Sequence, residues 1–176
     1  EVIDDQPFDP IEPTVDLARE MRDGSAIGQS VHRSLDILVR ETEPLPERIH
    51  QVCNEMAAEE DAFAHLETIV AMTNMALNSN VVAQARAAAN MWTELYLAAP
   101  VDEGSVKVVD GLADLVYRDD SGIHIIDYKT DASIGEHNLP HYREQLAAYA
   151  ELMRRGTGEE RITASVLHLT QASAEL

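Results

Sequence analysis

The segment Asp119-Asp120-Ser121-Gly122 lies between two runs of largely apolar residues, and it constrains the fold more than any other stretch of the chain. Its composition is that of a tight hairpin turn. Residues 105–118 and 122–129 read as strands, so the two are expected to pair antiparallel. Asp114 stands five residues before Asp119 and Asp127 five after Gly122, which sets the two carboxylates roughly opposite each other. Lys129 follows Asp127 by two, and because strand side chains alternate it projects from the same face. Asp127 is flanked by Ile125, Ile126 and Tyr128, the pattern of a strand covered on both faces. A carboxylate left alone there would cost on the order of several kcal/mol. It therefore needs an ion pair, with Lys129 or Arg143, or a metal.

Two opposed carboxylates are a donor set for a hard divalent cation such as Mg2+ or Mn2+, which takes oxygen ligands and keeps open positions for a phosphate oxygen and a water. The Tyr128 side chain points away, but its backbone carbonyl lies between Asp127 and Lys129 and can add a further ligand. The Lys129 ammonium can orient water and offset charge on a phosphorane-like transition state. In outline this is a metal-dependent phosphodiester-cleaving site. Each residue also has a plainer reading. Asp114 can satisfy a turn or face solvent, and His32 can be a boundary residue beside the helical stripe Ile27, Val31, Leu35, Leu38 and Val39. Gln145 and Tyr149, four apart on one helical face, can belong to an ordinary amphipathic helix with Leu146 and Leu152 inward.

Along the chain, residues 1–13 carry Pro7, Pro10 and Pro13 among acids and read as a linker or arm. Periodicity and punctuation predict helices at 14–22, 26–41, 46–58, 60–77 and 80–92. Strands follow at 94–99, 105–118 and 122–129, then a helix at 139–155 ended by Gly156 and Gly158, and a strand at 161–169. The expected class is α/β, a mixed central sheet flanked by helices with an N-terminal helical region. Residues 14–176 are expected to form one domain, with a helical part over 14–92 and an α/β catalytic core over 93–170. A chain of 176 residues, 45% hydrophobic, can bury a full core, filled by aliphatic residues because aromatics are scarce. The single cysteine, Cys53, excludes an internal disulfide and is expected to be a helical packing residue.

The pattern Asp114, then Asp127-x-Lys129, resembles the PD-(D/E)XK nuclease superfamily. Gly28-Gln29-Ser30-Val31-His32-Arg33-Ser34-Leu35 resembles the G-x-x-x-H-x-x-L helix of RecB-like and AddA-like nuclease domains, and Gln145-Leu146-Ala147-Ala148-Tyr149 resembles the Q-x-x-x-Y helix of the same branch. These motifs stand in family order over residues 28–149. Trp92-Thr93-Glu94-Leu95 resembles the acidic position before the first core strand. The resemblance implies a restriction-endonuclease-like core in which His32, Asp114, Asp127 and the Tyr128 carbonyl hold Mg2+ or Mn2+, with Glu94 as an outer candidate. Lys129 then orients the attacking water, supported by Gln145 and Tyr149. It further implies a deoxyribonuclease, exonuclease ahead of endonuclease, placed C-terminally in a UvrD-type helicase-nuclease that repairs DNA double-strand breaks. With one cysteine the chain cannot carry the four-cysteine iron–sulfur cluster of some RecB-like nucleases.

Charge opposes the simplest form of this reading. The chain has 32 acids against 13 lysines and arginines, a formal charge of -19, whereas a protein that captures duplex DNA unaided shows a basic face. The resemblance suggests that a helicase motor delivers a single strand to the domain. No G-x-x-x-x-G-K-[ST] run occurs in the 176 residues, so no ATP site is expected here. Because the chain opens on Glu1, we expect a part of a longer protein. Without a basic apolar leader or a membrane-length apolar run, the expectation is a cytoplasmic protein with no membrane partner. Two alternatives remain: a catalytically silent nuclease-like docking module in a repair complex, and an acidic helical interaction domain in which the D-Y-K run is accidental.

Overall fold

A serine supplies the start of the first helix in the computed structural model, which describes residues 25–100, 108–131 and 139–170. The Ser25 hydroxyl accepts from the Gly28 N–H at 3.1 Å and caps α1, Ala26–Leu38. Pro46 opens α2, Pro46–Glu59, at a position where its missing N–H costs nothing. Asp61 takes φ 56, a left-handed residue that ends this helix, and a short turn at Phe63–His65 leads into α3, Leu66–Leu77. Ser79 caps α4, Asn80–Ala87, through the Val82 N–H at 3.2 Å. The arm at 1–13, the helix expected at 14–22 and the strand start at 105–107 lie outside the described residues.

The strands are β1 Asn90–Pro100, β2 Val108–Asp119, β3 Gly122–Lys129 and β4 Ile162–His168, with α5, Leu139–Thr157, between the last two. They form one sheet in the order β1-β2-β3-β4. β1 pairs antiparallel with β2, Trp92 opposite Val116 and Tyr96 opposite Leu112. β2 pairs antiparallel with β3 through a two-residue turn, Asp119 opposite Gly122 and Leu115 opposite Ile126. β4 runs the same way as β3: the Ile123 N–H donates to the Arg161 carbonyl at 2.9 Å and, further on, the Leu169 N–H donates to the Lys129 carbonyl at 2.7 Å. The helix-linked β3–α5–β4 connection makes the sheet mixed, as the α/β reading requires. Gly122 has φ 138 and a Cβ there would lie 2.1 Å from the Arg161 carbonyl oxygen, so only glycine fits the turn.

Cα packing divides the chain into two compact units. Among the described residues the sheet unit includes 89–100, 108–127 and 139–166; the helical unit includes 25–88, 128–131 and 167–170. In the helical unit α1, α2 and α3 pack on one another around Val31, Leu35, Val52 and Ile69. Arg86 of α4 donates to the Leu38 and Val39 carbonyls at 3.0 and 3.1 Å, satisfying the end of α1. Cys53 is buried among these helices, where burial pushes its thiol above the usual range, the state of an inert packing residue. In the sheet unit Tyr149, Leu152 and Met153 of α5 close a core with Leu97, Ala113, Val116, Ile123 and Ile125.

Two boundaries differ most from the sequence reading. The helix expected over 80–92 stops at Ala87 and β1 begins at Asn90, because Asn90 and Met91 pair with Arg118 and Tyr117 of β2. A long-range ladder there overrides the helix propensity of the Ala83–Ala89 tract. The helix expected over 60–77 is broken by the left-handed Asp61, so only Leu66–Leu77 continues as α-helix. Among the described residues no helix is long and apolar enough to cross a membrane.

Candidate active site

The sheet register lines up three acids. β1 pairs Thr93 with Leu115 and Leu95 with Ala113, which sets Glu94 across from Asp114. One step beyond the Leu115–Ile126 pair, the β2–β3 register sets Asp114 across from Asp127. Glu94, Asp114 and Asp127 thus form a row over three adjacent strands. A carboxylate oxygen of Glu94 lies within 4.8 Å of one of Asp114. Asp114 is 4% exposed and Asp127 3%. Like charges directly opposite each other destabilise a sheet, and removal from water sharpens the repulsion. Glu94 adopts φ 51, a left-handed conformation that costs a non-glycine residue about 1–3 kcal/mol and persists only where its surroundings impose it. The carboxylates of Glu94 and Asp114, closely set with Glu94 held in a strained backbone, fit a hard divalent cation that offsets their charge.

The helix α5 fixes this row from one side. Its Gln145 amide N–H donates to the Tyr149 hydroxyl at 3.1 Å, and that hydroxyl donates to the Leu112 carbonyl at 3.0 Å, two residues before Asp114. Both side chains are buried, Tyr149 completely. Burial, followed by the charge of Asp127, holds the Tyr149 phenol well above its ordinary value; Asp114 and Glu94 push the same way and the Gln145 hydrogen bond offsets part of the shift. The phenol therefore stays a neutral donor within reach of all three acids' charge. Gly111 makes this possible, since a Cβ on it would stand 2.5 Å from Tyr149 Cε1.

His32, Tyr128 and Lys129 belong to the helical unit. His32 lies in the middle of α1 with its ring edge-on to Tyr128, centroids 5.7 Å apart at 80°. Tyr128 and Lys129 are the last two residues of β3, and the Lys129 backbone carbonyl accepts from the Leu169 N–H. Four residues before His32, Gly28 passes close to the chain just beyond β3: a Cβ there would lie 2.8 Å from Thr130 Oγ1. Gly28 opened the G-x-x-x-H-x-x-L resemblance, but the purpose of neither glycine was legible, because the residues they make room for are distant in sequence. A further pair, Trp92 and Tyr96, flanks Glu94 on β1 with both rings exposed.

Residues 11–175 match the family model described as the PD-(D/E)XK nuclease superfamily. No curated protein sequence matches the chain. Among solved structures the chain is similar to "Crystal structure of SSO0001", at 18% sequence identity and a TM-score of 0.40, over 81% of this chain and 71% of that one. So distant a likeness adds nothing to the fold described above.

Proposed function

Because this chain belongs to the PD-(D/E)XK nuclease superfamily, we propose that it is a Mg2+- or Mn2+-dependent deoxyribonuclease domain of the RecB/AddA type. The observation that carries the reading is the close pair Glu94 and Asp114, with Asp127 next to Asp114 in the β2–β3 register, at the point where α5 pins β2. In this reading Asp114 and Asp127 hold the cation, joined by His32, the Tyr128 carbonyl and Glu94. Bound there, a divalent cation would polarise a phosphoryl oxygen and lower the pKa of a coordinated water. The chain's own residues do the rest. Lys129, two residues along the strand from Asp127, orients the attacking water and stabilises charge on the non-bridging oxygens. Tyr149, kept neutral, holds the Leu112 carbonyl and so the backbone that carries Asp114, while Gln145 fixes the phenol.

The domain assignment, residues 14–176 with the arm before them, belongs to the same proposal, as does placement in the cytoplasm at the C-terminal end of a UvrD-type helicase-nuclease acting in DNA double-strand break repair. The charge of -19 supports a delivered substrate, since phosphate contacts are the usual source of unaided affinity. Exonucleolytic attack on a delivered strand end is the expected mode.

Cleavage of labelled single-stranded and duplex DNA with Mn2+, Mg2+ or EDTA tests this reading. Metal-dependent cutting is expected, abolished by alanine at Asp114, Asp127 or Lys129 with the circular dichroism unchanged. Near wild-type activity in any of the three would sink the assignment.

A further inference from the structure

We infer that the Tyr128 ring is a positioning residue for His32, holding the imidazole in the plane from which one of its nitrogens reaches a divalent cation. This rests on the nuclease reading above and deepens it, since that reading uses the Tyr128 backbone carbonyl alone.

The two rings meet with centroids 5.7 Å apart and planes at 80°, the edge-on geometry in which the positive rim of one ring meets the negative face of the other. This contact is one of two between the same segments. Gly28 and His32 stand four apart on one face of α1, and a Cβ on Gly28 would lie 2.8 Å from Thr130 Oγ1. Gly28 thus meets Thr130 where His32 meets Tyr128, with the two segments running in opposite directions. Four residues of helix advance about 6 Å and two residues of extended chain about 6.6 Å, so the steps match and the register is locked.

The end of β3 is itself held. The Lys129 carbonyl accepts from the Leu169 N–H at 2.7 Å, and the Asp131 carbonyl accepts from the His168 ring at 2.7 Å. Tyr128 is buried on this fixed backbone while His32 is half-buried. The tyrosine is therefore the reference and the imidazole the part that is set. Because strand side chains alternate, the Asp127-Tyr128-Lys129 run works on two sides: acid and lysine project on one, the brace for His32 on the other.

A ligating imidazole has to aim one nitrogen, and loss of the outer group that fixes its ring typically lowers metal affinity by about 10–100-fold. Apparent affinity falls with the fraction of molecules in the competent arrangement, so an imidazole released to other rotamers binds in proportion to the rotamer that remains. An aliphatic side chain fills the same space but offers no aromatic face or rim to set a ring plane.

Calorimetric Mn2+ titration of the full chain tests this in Tyr128→Leu, Tyr128→Phe, His32→Ala and the double variant His32→Ala/Tyr128→Leu. Tyr128→Met is made beside Tyr128→Leu, with circular dichroism on each, so that one misfolded variant does not end the test. Expected is a loss on the order of tenfold in Tyr128→Leu, recovered in Tyr128→Phe, and no added loss once His32 is alanine. In the metal-free protein the His32 ring-proton resonances, assigned by their disappearance in His32→Ala, should shift in Tyr128→Leu and stay near wild type in Tyr128→Phe. Equal losses with and without His32 are what packing alone would give, and they overturn the inference. Wild-type Mn2+ affinity in Tyr128→Leu, or His32 resonances that do not move in it, overturn it too. In each of these cases Mn2+-dependent cutting by the wild type leaves the nuclease reading standing. A wild type that neither binds Mn2+ nor cuts removes both.

Discussion

Replacing Gly111 with alanine probes the contact on which the site's backbone depends. The added Cβ would lie 2.5 Å from Tyr149 Cε1, 3.4 Å from Cδ1 and 3.5 Å from Cζ. Non-bonded carbons settle at about 3.5–4.0 Å, so the ring must retreat by roughly 1 Å. It has nowhere to go, being fully buried against the α5 and sheet core. Retreat also stretches the 3.0 Å bond to the Leu112 carbonyl and the 3.1 Å bond from Gln145. Overpacking of this kind costs about 1–3 kcal/mol, and a weakened buried hydrogen bond adds roughly 1 kcal/mol. Removing a strand glycine returns about 0.5–1 kcal/mol. The net expectation is a loss of about 2 kcal/mol, which at a urea slope of roughly 2 kcal/mol/M lowers the midpoint by about 1 M. Unfolding followed by Trp92 fluorescence reads this in the sheet unit itself. With Tyr149→Leu already in place, the clash is gone and Gly111→Ala should be neutral or stabilising by about 0.5 kcal/mol. An equal cost in both backgrounds, or no cost in the wild type, refutes the packing argument.

Glu94→Gly should raise thermal stability, because glycine accepts φ 51 without strain and one of two facing charges disappears. The same variant should weaken Mn2+ binding on the order of tenfold by calorimetry, and a fall in stability would refute the strain reading. Asp119 is held at about 2 by hydrogen bonds from Ser121 and His124, below its ordinary 3.8. Its folded pKa being depressed, its contribution is present above about pH 4 and lost as pH falls toward 2; melting temperatures over that window should converge for wild type and Asp119→Asn. Tyr149 titrates the other way. Its raised pKa keeps its contribution intact below about pH 10 and erodes it above, so kcat should show no tyrosine ionisation up to that pH, and Tyr149→Phe should destabilise by about 1–3 kcal/mol by orphaning the Leu112 carbonyl.

The acids were legible because their placement is local arithmetic. A two-residue turn after Asp119 fixes the β2–β3 register, and the register carries Asp114 to Asp127 without any knowledge of the rest of the fold. Glu94 was weaker in sequence, since its position depends on pairing with β2 across a connection no local rule spans. Its left-handed backbone has no signature, because a glutamate in a strand gives no hint of φ 51. The Q-x-x-x-Y spacing placed Gln145 and Tyr149 on one helical face, but not their partner, a backbone carbonyl that any residue at 112 would offer. Asp61 broke an expected helix with neither glycine nor proline to announce it. Trp92 was read as the last residue of a helix and Tyr96 as an ordinary strand residue, because nothing local announces their place on β1 or their exposure.

Titration of Mn2+ into the full chain, beside Asp114→Asn and Asp127→Asn, measures most directly whether the acidic row is a cation site. The account expects saturable binding in the wild type, a melting temperature that rises with Mn2+ concentration, and loss of both in either variant. Equal Mn2+ binding in all three proteins, or none in the wild type, would contradict it.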